Sequence, residues 1–175
     1  GVGKTTLAKK VYDNQRVVGH FDCHAWVTVS QSFKMEELLR NMTKKFYQGR
    51  KEAVPEGIDT IDEMSLISLI RQYLQDKRYV VVFDDVWKLD FWGFIKYGLP
   101  ENGNGSRIII TTRNDEVASS CKESSFDYIH KLQPLSPKSS WELFCKKTFQ
   151  GGCPPELEKL SLHIVKRCGG LPLAL

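Results

Sequence analysis

The stretch that decides the fold is Tyr79-Val80-Val81-Val82-Phe83-Asp84-Asp85, in which an apolar run leads directly into two acidic residues. An unbroken run of β-branched and aromatic residues predicts a strand buried on both faces, as in a parallel sheet. A carboxylate at the end of such a strand is suited to hold Mg²⁺ beside a bound triphosphate. An Asp pair also begins turns and caps helices, so a second motif is needed to decide between the two interpretations.

The second motif is Gly1-Val2-Gly3-Lys4-Thr5-Thr6 at the start of the chain. It supplies the later half of the phosphate-binding pattern G-x-x-x-x-G-K-[ST], in which backbone N–H groups wrap the phosphates, the lysine reaches the terminal ones and a hydroxyl holds Mg²⁺. A Gly-Lys-Thr tripeptide alone is also an ordinary helix start. However, Lys4 and Asp84 are 80 positions apart, which leaves room for the helices and strand between them. We therefore expect both residues to meet one polyphosphate at the edge of a parallel sheet.

A third motif is the run Arg107 to Thr111, which also predicts a strand buried on both faces. It is followed by Thr112 and Arg113. Ligands of open α/β sheets bind off the carboxyl ends of the strands, so we expect Arg113 to reach the terminal phosphate. The alternative is a solvent-facing arginine at the start of a helix.

The rest of the chain alternates predicted strands and helices up to about residue 134 and is then helical. We predict an α/β fold of the P-loop NTPase type, a three-layer parallel sheet with helices on both faces. Residues 1–134 form the nucleotide-binding domain, and residues 135–175 begin a helical domain. Expected strands are 21–29 and 128–132, and expected helices start near Thr5, Met35, Leu66, Asn114, Ser136 and Pro155.

Composition excludes several classes of protein. The 175 residues carry a formal charge of +4, too little to predict direct nucleic-acid binding. No apolar run approaches the length of a membrane span, and no secretory signal opens the chain. Five cysteines form no C-x-x-C pair, which favours reduced thiols and a cytoplasmic location.

Taken in order, the motifs closely resemble the nucleotide-binding NB-ARC domain of plant disease-resistance (NLR) proteins. The likeness covers nearly the whole chain. Trp87, and the Trp-Val-x-Val-Ser form at 26–30, are typical of the subgroup with an N-terminal coiled coil. The motifs that carry the resemblance are GVGKTT (1–6), FDCHAWVTVSQSF (21–33), YVVVFDDVW (79–87), GSRIIITTR (105–113), YIHKLQPLSPKSSWELFCKKTF (128–149) and GLPLAL (170–175).

The resemblance implies a STAND-class ATPase switch, with ADP bound at rest and ATP bound when active. Thr5 and Asp84 would hold Mg²⁺, Asp85 would orient or activate the attacking water, and Arg113 would sense the γ-phosphate. Pro172 would pack near the adenine. The residues that would wrap the phosphates are Gly1, Val2, Gly3, Lys4, Thr5 and Thr6.

The resemblance also implies partners. We expect the first strand of the sheet, a coiled coil, a winged-helix region and leucine-rich repeats to lie outside these residues. The activated protein would form a homo-oligomer after recognition of a pathogen effector or a guarded host protein. Two other functions stay open at this point: a P-loop kinase that acts on a small molecule, and a STAND-type transcription regulator.

Overall fold

The computed structural model describes all residues from Gly1 to Leu175, and the chain divides into two compact units. The sheet unit comprises residues 7–129, and the helical unit comprises residues 1–6 together with 130–175. The first dividing point falls within helix α1 (Lys4–Tyr12). None of the helices combines the length and the apolar character that crossing a membrane would require.

The sheet unit is built on three parallel strands, β1 (Cys23–Thr28), β2 (Tyr79–Val86) and β3 (Arg107–Thr112), in the order β1-β2-β3. Strand β2 is central, and every side chain in it except Asp85 is buried. This is the burial that the uninterrupted apolar run predicted, since a central parallel strand has neighbours on both faces.

Two helices cover one face of the sheet. Helix α3 (Met35–Gly49) contacts β1 and also packs against helix α4 (Glu63–Leu74). Their apolar residues recur at helical spacing and enter one core with the strands. The core residues that are no more than 1% exposed include Leu39, Met42, Phe46, Leu66, Ile70, Val81 and Phe83.

Short helices complete the sheet unit. They are α2 (Gln15–Val18), α5 (Phe91–Ile95) and α6 (Asp115–Ser120), with single 3₁₀ turns at Ile58–Thr60 and Lys96–Gly98. Asn114 caps α6 as the sequence predicts, since its side chain accepts a hydrogen bond from the backbone N–H of Glu116 at 2.8 Å. Helices α2 and α5 were not predicted because each has too few residues for a periodic pattern.

Strand β3 departs from prediction in its burial. Ile108, Ile109 and Ile110 are only partly buried, although their pattern predicted burial on both faces. The reason is that β3 is the last strand in the sheet order and has a strand neighbour on one side only. The apolar run therefore predicted the strand correctly but overestimated how deeply its side chains are buried.

The helical unit contains α7 (Pro137–Thr148), a 3₁₀ turn at Pro155–Leu157 and α8 (Glu158–Arg167). Ser136 caps α7, accepting a hydrogen bond from the backbone N–H of Ser139 at 3.1 Å, as predicted. A small core joins the two helices. Its buried members are Phe144, Cys145 and Val165, with Trp141, Phe149, Cys153 and Leu175 packed around them.

The strand predicted at residues 128–132 is wrong, because the structure forms no strand there. Phe126, just before this segment, and Tyr128, its first residue, are 96% and 84% exposed. Aromatic and β-branched residues favour a strand only where a neighbouring strand offers a pleated surface to pack on.

The fold class is confirmed: a parallel three-stranded sheet flanked by helices, as in a P-loop NTPase. The change from the sheet unit to the helical unit falls between residues 129 and 130. The functional boundary between residues 134 and 135 stays a prediction.

Candidate functional site

A β-bulge lies where β2 carries its two aspartates. Phe83 pairs with Ile110 and Val86 pairs with Thr112, so both Asp84 and Asp85 stand opposite the single residue Thr111. Asp85 has a φ of +62°, in the left-handed region that Asp tolerates better than most residues. Bulges of this kind occur beside active sites, where they redirect a side chain.

The hydroxyl of Thr111 bonds to both aspartates. It donates to Asp84 Oδ1 at 2.6 Å and accepts from the backbone N–H of Asp85 at 2.9 Å. Asp84 is 6% exposed and Thr111 is 7% exposed, so little water competes for these bonds. The Asp84 carbonyl also accepts from the Val29 N–H at 2.9 Å. Asp84 is therefore held through both its backbone and its side chain.

Arg113 lies against the other aspartate. Its Nε is 3.3 Å from Asp85 Oδ1, and its guanidinium carbon is 5.3 Å from the centre of the Trp87 ring. The Arg113 side chain is 63% exposed, so the ion pair is weak and Arg113 can exchange partners at little cost. The structure thus brings Asp84, Asp85 and Arg113 to one end of the sheet.

The predicted phosphate loop lies in the helical unit. Gly3 has a φ of +96°, and no atom lies within 4 Å of the position that a Cβ would take. Helix α1 begins at the next residue, Lys4, so Thr5 and Thr6 occupy its first turn. A glycine in the left-handed region that leads into a helix start leaves backbone N–H groups accessible to an anion.

Residues 170–173, which form the GLPL part of the last motif, lie beside the start of this loop. A Cβ on Gly1 would stand 2.9 Å from Leu173 Cβ, one residue beyond Pro172. Gly170 has a φ of +74°, and its carbonyl accepts a hydrogen bond from the Leu135 N–H at 2.8 Å. The structure therefore associates Gly1 and the residues around Pro172 within the helical unit.

Two groups of predicted residues result. One comprises Asp84, Asp85 and Arg113 in the sheet unit, and the other comprises residues 1–6 and Pro172, all of which belong to the helical unit. The meeting of Lys4 with Asp84 on one polyphosphate stays a prediction. Sequence reasoning missed Thr111, although its hydroxyl at the end of β3 was a usable signal, and gave Trp87 no role at the site.

The residues at the site fit both ligands that the motifs imply, a magnesium ion and a phosphate. A buried carboxylate with one oxygen fixed by a hydroxyl is a suitable ligand for Mg²⁺, which prefers carboxylate and phosphate oxygens. The Gly3 backbone and the start of α1 suit a phosphate.

Two groups with raised pKa values, Tyr73 and Cys23, lie at the opposite end of the strands. Burial, followed by its hydrogen bond to Glu52, raises the pKa of Tyr73, whose hydroxyl is 2.6 Å from Glu52 Oε2. Burial also raises the pKa of Cys23, where β1 begins. Tyr73 and Glu52 are only partly buried, whereas Cys23 is fully buried. These groups lie at the amino end of the sheet, away from the carboxyl end that carries the aspartates.

Comparison with protein families matches residues 1–153 to the NB-ARC domain. Among known proteins, the whole chain is 38% identical to disease resistance protein RPM1 and 39% identical to disease resistance RPP13-like protein 4, both from Arabidopsis thaliana. It is 34% identical to disease resistance protein RGA5 from Oryza sativa subsp. japonica. The chain covers 19%, 20% and 16% of these three proteins, so it spans about a fifth of their length or less.

The family match covers most of the chain, and the parallel sheet with its paired aspartates is the architecture that the resemblance implied. The chain belongs to the NB-ARC domain family found in plant disease-resistance proteins.

Proposed function

We propose that this chain is the nucleotide-binding part of a molecular switch in a cytoplasmic plant immune receptor. ADP is bound in the resting state, ATP is bound in the active state, and slow Mg²⁺-dependent hydrolysis returns the protein to rest. The single observation that carries the proposal is the buried Asp84, which Thr111 holds at the carboxyl end of β2. The disease-resistance relatives favour this function over the small-molecule kinase and the transcription regulator.

The residues of the loop bind and orient the nucleotide. The backbone N–H groups of residues 1–6 and the ammonium of Lys4 bind the phosphates, and Pro172 packs near the adenine. Thr5 and Asp84 would hold Mg²⁺, which would neutralise charge on the phosphates when bound.

The residues of the bulge act on the terminal phosphate. Asp85 orients or activates the attacking water. Arg113 exchanges its contact with Asp85 for the γ-phosphate, because a guanidinium that is mostly exposed loses little on leaving an ion pair. Whether Arg113 contacts Asp85 or the γ-phosphate thus differs between the two nucleotide states.

Regions outside these residues complete the receptor. We propose that a coiled coil and leucine-rich repeats belong to the same protein. A pathogen effector or a guarded host protein starts the switch, and the ATP-bound form assembles with copies of itself.

Nucleotide content tests the proposal. The intact protein is purified with and without Lys4→Arg, its bound nucleotide is released and quantified, and both forms are expressed in leaves to score defence signalling. We expect adenine nucleotide in the unsubstituted protein, and loss of both nucleotide and signalling in Lys4→Arg. The matched control is Lys10→Arg, on the same helix but outside the loop. Unchanged nucleotide content in Lys4→Arg contradicts the proposal.

A further inference from the structure

We propose that Thr111 is a positioning residue that sets the orientation of both aspartates of the site through one hydroxyl group. This inference rests on the proposed function, since it concerns how the same site holds Mg²⁺. Thr111 itself contacts neither nucleotide nor metal in this account; it acts through Asp84 and Asp85.

The first step is the hydrogen bond to Asp84. A threonine hydroxyl has one donor, and here it is given to Asp84 Oδ1 at 2.6 Å. The terminal torsion of an aspartate side chain has a broad energy profile, so an unrestrained carboxylate rotates. The bond from Thr111 restrains that rotation and so fixes the direction of the second oxygen, Oδ2. Metal ligands are commonly oriented in this way by a hydrogen-bonding neighbour.

The second step is the hydrogen bond from Asp85. At the bulge, two residues of β2 face one residue of β3, and a bulge locally interrupts the regular ladder of backbone hydrogen bonds. The N–H of Asp85 is instead accepted by Thr111 Oγ1 at 2.9 Å. This bond supports the left-handed backbone of Asp85, whose φ is +62°, and thereby the direction of its side chain toward Arg113.

The side chain of Thr111 therefore couples the orientations of Asp84 and Asp85. Valine at residue 111 keeps the shape of threonine and its preference for strands, but it removes both hydrogen bonds at once. Serine keeps the hydroxyl and loses only the methyl group. Thr111→Val and Thr111→Ser thus separate the hydrogen bonds from the packing of β3.

The experiment measures the binding of a fluorescent ADP analogue to the intact protein over a range of Mg²⁺ concentrations and in EDTA. For Thr111→Val we expect the Mg²⁺ concentration at half-maximal tightening to rise roughly 10- to 100-fold, as with other hydrogen-bonding partners of metal ligands. Affinity in EDTA should stay within about twofold, because the loop residues that bind the phosphates are unchanged. Thr111→Ser should restore the Mg²⁺ dependence.

Two controls isolate the effect. Thr112→Val removes the neighbouring hydroxyl, which accepts the N–H of Asn114 at 3.1 Å, and should leave the Mg²⁺ dependence unchanged. In an Asp84→Asn background, Thr111→Val should add no further change, because its effect passes through Asp84. If Thr111→Val fails to fold, Thr111→Ala and Thr111→Ser form a second pair that differs only in the hydroxyl, with the same expected shift.

The outcomes separate this inference from the proposed function. An unsubstituted protein that binds no adenine nucleotide overturns both. Nucleotide binding with the same Mg²⁺ dependence in Thr111→Val overturns the role of Thr111 alone. An equal loss of affinity with and without Mg²⁺ also overturns it, because that result indicates general damage to the fold.

Discussion

Arg113 Nε lies 3.3 Å from Asp85 Oδ1, so the residue predicted to sense the γ-phosphate contacts the residue predicted to orient water. The Trp87 ring lies 5.3 Å from the same guanidinium. Strand β2 supplies Asp85, and β3 ends at Thr112, directly before Arg113. The parallel pairing of these two strands is what brings the two charges together.

Asp85→Asn tests the role of that carboxylate. The substitution keeps the size of the side chain but removes its ability to accept a proton from water, so single-turnover hydrolysis of ATP should slow about 100-fold or more. ATP affinity should hold or increase slightly, because Arg113 loses a competing partner. The control is Asp90→Asn, at an exposed position before α5. Hydrolysis at the unsubstituted rate in Asp85→Asn would remove Asp85 from the mechanism.

Gly170→Ala should destabilise the helical unit. A Cβ at Gly170 would stand 2.5 Å from the Leu135 carbonyl oxygen, and the φ of +74° disfavours alanine. The left-handed backbone alone costs about 1–3 kcal/mol, and the close approach adds to it. Hydrogen exchange of the α7 and α8 amides measures the loss. Gly152→Ala, where no atom lies within 4 Å of the new Cβ, should leave exchange nearly unchanged; equal protection in both variants would contradict the argument.

Tyr79 gives the sheet unit a dependence on alkaline pH. Burial raises its pKa to about 12, and its hydroxyl donates to the Pro100 carbonyl at 3.0 Å. Because the folded-state pKa is above the unfolded value of about 10, the contribution to stability is complete below pH 10. It is lost as the pH rises toward 12.

Absorbance of tyrosinate and chemical denaturation at several pH values check this prediction. Tyr79→Phe should remove the component that titrates near pH 12 and should cost about 1 kcal/mol at neutral pH for the lost hydrogen bond. Tyr97→Phe is the control, since that side chain is 58% exposed. If stability between pH 10 and 12 falls equally in the protein with and without Tyr79→Phe, the assignment fails.

Phe46 anchors the core between α3 and the sheet. It is 1% exposed, and its ring centre lies 6.2 Å from that of Tyr79 in an edge-on arrangement. Phe46→Ala should lower the free energy of unfolding by about 3–5 kcal/mol. Phe126→Ala, at a side chain that is 96% exposed, should change it by no more than about 0.5 kcal/mol. Similar midpoints of chemical denaturation for both variants would contradict this account of the core.

Long periodic patterns made most of the fold predictable. The strand of Tyr79 to Phe83 and the helix that begins at Met35 follow from apolar runs and from spacing, and the caps Asn114 and Ser136 follow from their residue types. The predictions that failed concern residues whose structure depends on a neighbouring strand. The burial of β3 and the absence of a strand at 128–132 depend on which strand stands beside them, and a single sequence does not show that.

The features of the candidate site also fall into those that the sequence could predict and those that it could not. Asp84, Asp85 and Arg113 were predictable because each follows a strand whose apolar run is clear. The bulge was not predictable, because it arises from a register shift between two strands that are distant in sequence. The Thr111 hydroxyl at the end of β3 was visible in the sequence, but its bonds to both aspartates depend on that shift, which places Thr111 opposite Asp84 and Asp85.

The most direct test of the account is an experimental structure of the intact protein with Mg²⁺ and ADP bound. The distances to measure are those from Lys4 Nζ to the phosphate oxygens and from the Asp84 carboxylate to the ion and its water ligands. We predict that both side chains face the same nucleotide, with Lys4 within hydrogen-bonding distance of a phosphate and Asp84 at Mg²⁺ or one of its waters. Lys4 and Asp84 in separate pockets, with the nucleotide at only one of them, would contradict the central claim.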